Sequence, residues 1–200
     1  MVERTLRKDA EERRQLILEK AAELFAEHGV ENVSMRQIAR EAGVGQGTVY
    51  RSYTNKGELC WDLIGESCIQ NRDKMDRYLE EHPLQSLQER LTTILTYHME
   101  SVDNHLPTLV AIQADYNPDS EHSAAFYKEH YDSIHSVIAK LLQEYKELIP
   151  SAALDPVFTA DAILSMLSAE VYLFLKAQRH YTFDDIKERM ISTFVNPLFK

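Results

Sequence analysis

Two apolar stripes of helical period, separated by one glycine step, limit what this chain can fold into more than any other feature. Met35, Ile38, Ala39 and Ala42 recur at three- and four-residue spacing, which marks one buried helix face, and Ser34 ahead of them is an N-cap whose hydroxyl accepts a backbone N–H. Gly43 supplies the left-handed backbone that ends such a helix, and Val44 is the apolar residue that seals the turn. From Gln46 to Tyr53 the apolar positions are Val49 and Tyr53, so Gln46, Gly47, Thr48, Tyr50, Arg51 fall on the outward side. A further helix starts near Asn55. The spacing predicts two short helices held at a sharp angle, the second with hydrogen-bond donors and no acid on its free face.

Such a pair is a helix-turn-helix, in which the second helix enters the major groove of DNA and the first crosses the backbone. The residues resemble the TetR family of transcriptional regulators. That family has a capped helix with Ile-Ala, then Ala-Gly-Val, a small residue, any residue, Gly-Thr, an apolar residue, Tyr and an aromatic, followed by Lys and Leu. The counterparts here are Ile38-Ala39, Ala42-Gly43-Val44, Gly45, Gln46, Gly47-Thr48, Val49, Tyr50, Tyr53, Lys56 and Leu59. Ile17, Ala21, Ala22, Leu24 and Phe25, with Gly29 and Val30, resemble the family's first helix and its exit, so the likeness spans roughly residues 13–62. Gly45 stands where the family often has a Ser or Thr cap, a difference of a few tenths of a kcal/mol. Ser52 stands where it commonly has Tyr or His.

Roles follow residue by residue. Gln46 and Thr48, at the start of the second helix, are placed to reach base edges, and Gly47 permits close approach. Ser34, Tyr50, Arg51 and Lys56 are read as phosphate contacts, and Arg36 as a contact to a phosphate or a base. The basic arm Arg4, Arg7, Lys8, Arg13 and Arg14 is interleaved with acids and is a weaker candidate for backbone contact.

The net charge of −10 looks wrong for a DNA binder until it is divided. Residues 1–57 carry +1 and residues 58–200 carry −11. Beyond a Debye length of about 8 Å the acidic part is largely screened at physiological salt. No 18-residue apolar run exists and the charged N-terminus has no apolar core, so neither a membrane span nor a secretory signal is expected and the chain reads as cytoplasmic. Cys60 and Cys68, eight apart on one helix, lie roughly 12 Å from each other, too far for a disulfide. Asn32-Val33-Ser34 matches a glycosylation acceptor, which has no meaning in a cytosolic chain.

The remainder reads as helices with short breaks: a long one from Leu59 to Leu79, one over Leu87 to Met99 interrupted at His105-Leu106-Pro107, and a short segment from Leu109 to Tyr116. Further helices run from Ser123 to Leu148, from Asp155-Pro156 to about Ala177, and from Asp184 to Val195. The expected fold is all-α with about nine helices. A DNA-binding domain over 11–70, with its helix-turn-helix at about 34–53, is joined by a long helix to a regulatory and dimerisation domain over 71–200.

The helix after Asp155 is apolar on most of its circumference and needs cover from more than one side. The resemblance implies a homodimer through a four-helix bundle, with Phe158, Ile163, Leu167, Val171, Phe174, Ile186, Met190 and Phe194 as interface candidates. Two copies would read a pseudo-palindromic operator in double-stranded DNA with half-sites about 34 Å apart. The resemblance also implies a small-molecule effector in the C-terminal body. Candidate lining residues are Trp61, Tyr97, Asp115, Tyr116, Phe126, Tyr127, Tyr131 and Glu170, and plain core packing is the alternative for the aromatics. No metal-ligand spacing, phosphate-cradling glycine loop or nucleophile elbow is present, so no cofactor, metal or catalytic residue is expected. The function expected is a DNA-binding transcriptional regulator, a repressor released by its ligand. The alternatives are a helical protein-interaction adaptor and a helical enzyme without a recognisable motif.

Overall fold

Helix follows helix because the chain supplies helical stripes, caps and few breakers, and among the described residues no strand forms. The computed structural model describes residues 2–116, 121–151 and 153–199, with side chains for 10–116, 125, 128–151 and 153–199. The elements are α1 (Val2–His28), α2 (Met35–Glu41), α3 (Gln46–Ser52), α4 (Lys56–Glu81), α5 (Leu87–Ala114), α6 (Glu121–Leu148), α7 (Pro156–Met166), α8 (Ala169–Ala177) and α9 (Phe183–Met190). After α9 the chain continues as a π-helical turn, Ile191–Val195, and a 3-10 turn, Asn196–Phe199.

The chain divides into two compact units, one of Met1–Glu66 with Pro107–Asp119 and one of Ser67–Leu106 with Ser120–Lys200. The last turns of α5 belong with the first unit. There the Gly57 backbone N–H donates to Asp115 Oδ2 at 2.8 Å.

In the first unit Ile17 and Ala21 of α1 meet Met35, Ile38, Ala39 and Ala42 of the α2 segment, with Val49, Tyr53 and Leu59 closing the core. Ile17, Ile38, Val49 and Leu59 are fully buried. Both faces expected for α2 and α3 are therefore the faces that pack.

In the second unit Leu91, Ile94, Leu95 and Met99 of α5, Ile138 and Leu142 of α6, and Ile163 of α7 lose all exposure. Three expectations are corrected here. α5 runs unbroken through Pro107, because one missing N–H and some crowding of the Asp103 carbonyl are outweighed by helix burial on either side, at Val102, Leu106 and Ile112. The helix after Asp155 is broken: Leu167 leaves helical geometry, Ser168 becomes an N-cap accepting from Val171 N–H at 3.4 Å, and α7 and α8 meet at 45°. The last helix is regular only to Met190, then widens into the π turn.

Candidate nucleic-acid interface

The interface candidate begins at Ser34. Its hydroxyl accepts from the Gln37 N–H at 3.3 Å while the Gln37 side chain accepts from the Ser34 N–H at 2.9 Å, a reciprocal capping box at the start of α2. At the other end Gly43 takes φ +65°, with its N–H on Arg40 O at 3.1 Å and the Val44 N–H on Ala39 O at 3.0 Å. That pair of bonds is the Schellman closure, and it lets the chain reverse into α3 within three residues.

α3 has Gly45 as N-cap, with no side-chain bond, and Tyr53 as C-cap, its N–H on Val49 O at 2.9 Å. Val49 is buried, and around it Gln46, Gly47, Tyr50, Arg51 and Ser52 are exposed with Thr48 half-buried. Tyr50 is 48% exposed, a large aromatic ring left to solvent beside Arg51. Arg36 on α2 is exposed as well. The one acid between Ser34 and Lys56 is Glu41, and Arg40 binds it through Nε at 3.0 Å and Nη2 at 2.9 Å. The outward face of α3 is thus donor-rich and carries no carboxylate.

Two basic candidates have other work. The Lys56 ammonium donates to Val30 O at 2.7 Å and Val33 O at 3.2 Å, so two of its three N–H groups close the α1–α2 turn. Arg14 is committed to Asp62 of α4, with Nε on Oδ2 at 2.8 Å, and to Glu11 at 3.0 Å. Arg13 is exposed, while the side chains of Arg4, Arg7 and Lys8 lie outside the described residues. The Ser52 hydroxyl turns back to Thr48 O at 3.3 Å.

The expected effector residues are divided between the two units. Trp61, Asp115 and Tyr116 belong to the first, and Tyr97, Tyr131 and Glu170 to the second. The side chains of Phe126 and Tyr127 lie outside the described residues. Asp115 caps the start of α4 through Gly57, Tyr131 donates to Asp161 Oδ1 at 2.5 Å, and Tyr97 lies under the Lys74 ammonium, 3.6 Å from its ring centre. Glu170 is exposed in the first turn of α8, where a carboxylate suits the helix dipole. A cleft of about 410 Å³ in the second unit is lined by other residues, among them Arg72, Asp76, Arg90, Val137, Lys140 and Glu144. The sequence carried no sign of it, since its charges come from three helices.

The proposed interface stripe also splits. Ile163, Leu167, Ile186 and Met190 are buried within the protomer, and Val171 and Phe194 are half-buried. Phe158 and Phe174 are 71% and 47% exposed, and Val157 and Leu173, which the sequence reading does not single out for the interface, are exposed with them. Within α7 itself Phe158 and Ile163 are five residues apart, roughly 140° around a helix of 3.6 residues per turn, so one faces out while the other packs.

A sequence model of the bacterial regulatory proteins, tetR family, matches residues 17–60. An HTH-type transcriptional regulator of Staphylococcus aureus is 31% identical over 198 residues, covering 96% of this chain and 97% of that protein. The solved structure of FadR from Bacillus subtilis in complex with stearoyl-CoA is similar with a TM-score of 0.65 at 19% identity, over 91% of this chain and 97% of that one. A TetR/AcrR-family regulator from Thermobifida fusca gives 0.66 at 17% identity, over 92% and 97%. At those identities the two structures speak for the fold alone.

Proposed function

The chain belongs to the tetR family of bacterial regulatory proteins, and from that premise we propose that it acts as a cytoplasmic homodimeric repressor released from its operator by a small molecule. The observation that carries the DNA reading is the outward face of α3: Gln46, Gly47, Tyr50 and Arg51 exposed around buried Val49, with no acid among them. Gln46 and Thr48 read base edges, and Ser34, Tyr50 and Arg51 hold phosphates, with Arg36 beside them. Lys56 acts mainly by holding the α1–α2 turn, and its third N–H is what remains for a phosphate.

Dimerisation through exposed Val157, Phe158, Leu173 and Phe174 pairs two reading heads on one pseudo-palindromic operator. The stearoyl-CoA complex of the similar Bacillus subtilis protein supports a small organic effector. Such a ligand releases DNA by binding the DNA-incompetent state more tightly, and the difference in affinity is the coupling free energy. The protein on this reading catalyses no reaction.

The test is a mobility shift on DNA from upstream of the protein's own coding sequence. The wild type is expected to retard it, and the double variant Gln46→Ala/Tyr50→Ala to bind at least tenfold more weakly. Full retention of binding by the double variant refutes the contact assignment.

A further inference from the structure

α3 has little of its own to hold it in place. It is seven residues long, its N-cap Gly45 offers no side-chain acceptor, and Val49 is its single buried residue. Helices that short do not persist in water without tertiary support. Two buried side chains anchor it: Val49 in the middle, and Tyr53 at the C-cap, 5% exposed.

Tyr53 is more than an apolar plug. Its hydroxyl donates to Oδ2 of Asp62 on α4. The same carboxylate accepts the fork of Arg14 from α1, through Nε at 2.8 Å and through Nη2. A single carboxylate therefore joins α1, the end of α3 and α4. Asp62 has 22% of its side chain exposed, so the bonds form away from most of the water. Burial, and then the bond to Asp62, hold the Tyr53 phenol well above its ordinary ionisation range, so it stays a donor. The Asp62 bond likewise raises Arg14, whose charge is permanent.

We infer that Asp62 is a positioning residue for DNA reading, setting the angle of α3 through the Tyr53 hydroxyl while Arg14 holds the carboxylate in place. The inference rests on the reading of α3 as the DNA-contacting helix. Base-edge bonds depend on sub-ångström placement, whereas phosphate attraction is long-ranged and tolerant of tilt. Loosening α3 therefore reduces discrimination between sequences far more than it reduces binding as such.

The full-length protein is tested on two probes: a duplex that the wild type recovers from a random-sequence pool, and poly(dI-dC) as non-specific DNA. Tyr53→Phe keeps ring and charge and removes one hydroxyl; Asp62→Asn keeps shape and removes one negative charge. Each is expected to lower the ratio of specific to non-specific affinity by up to about tenfold, the limit reached when the whole of one hydrogen bond's hold on α3 has to be made up on specific binding. Non-specific affinity is expected to stay unchanged in Tyr53→Phe and to stay unchanged or tighten in Asp62→Asn. Electrostatics alone has the opposite sign for Asp62→Asn, tightening binding to both probes. A merely structural role lowers the melting temperature and leaves the ratio intact. Wild-type ratios in both variants overturn the inference, and if Asp62→Asn does not fold, the Tyr53→Phe ratio decides. A wild type that selects no duplex refutes the α3 reading and takes this inference with it; a selective wild type with unaffected variants refutes this inference alone.

Discussion

Gly43 and Gly57 are both glycines for reasons that a Cβ would expose, but the reasons differ. At Gly43 φ is +65° and a Cβ would meet nothing within 4 Å, so the constraint is backbone conformation alone. Gly43→Ala is expected to cost about 1 kcal/mol, the left-handed penalty for a residue with a side chain. At Gly57 the backbone is helical, and alanine would ordinarily gain up to about 1 kcal/mol. Here the new Cβ would come within 2.8 Å of Asp115 Cβ and 3.3 Å of Ile112 O. Gly57→Ala is expected to reverse the usual sign and cost about 2 kcal/mol, because the cap from Asp115 has to move. Urea titrations of the two variants check this contrast. The first glycine was legible from its place after an apolar stripe. The second was not, since its partner is 58 positions away in sequence.

Among the elements, α2 and α3 show how far local signals reach. Ser34, Gly43 and Val49 were readable because capping, turn closure and helical period act within a few residues, and each performs the expected role. Ser34→Ala is expected to cost about 1 kcal/mol by removing the acceptor for the Gln37 N–H, measurable as a lower midpoint in chemical denaturation. Asp155→Ala is a matched test at α7, where one carboxylate oxygen accepts from Val157 and Phe158 N–H, both at 3.0 Å; a loss of about 1 kcal/mol is expected there too. Pro107 and Ser168 went the other way. Proline in the sequence reads as a break and the helix passes through it; Ser168 lies inside an apolar run and the helix ends just ahead of it. At Pro107 burial of neighbouring residues outweighs a propensity cost of about 3 kcal/mol, whereas at Ser168 the hydroxyl caps a new helix start inside the apolar run.

At the scale of the molecule, His98 is expected to make stability depend on pH. It is 8% exposed, and burial, helped by the nearby His130, pushes its pKa down to about 3. An unfolded chain's imidazole titrates near 6.5, so as the pH falls the unfolded state takes up the proton first. The neutral ring's contribution is therefore intact above about 6.5 and is lost progressively toward about 3. Between pH 7 and pH 5 this one residue is expected to remove about 2 kcal/mol of stability, and His98→Leu to flatten that dependence in urea titrations at the two pH values. Assembly is testable separately. Phe158→Glu/Phe174→Glu places charge on exposed positions, so it is expected to keep wild-type helicity and sediment as a monomer. It is also expected to bind an operator at least a hundredfold more weakly, because two linked heads gain effective concentration that one lacks. A dimer that survives the double substitution places the interface elsewhere.

The amino-acid sequence by itself determined the helical class, the capped and glycine-closed pair of helices, and the outward face of α3, because each depends on side chains a few residues apart along one helix. Only the tertiary structure decided that Lys56 and Arg14 hold protein rather than stand free, and that Asp115 caps α4. It also decided that Phe158 and Phe174 face outward while Ile163 and Leu167 do not. These are contacts between segments that meet only once the chain has packed. A charge or an apolar ring reads the same along the chain whether its partner is a neighbouring helix, solvent or another molecule.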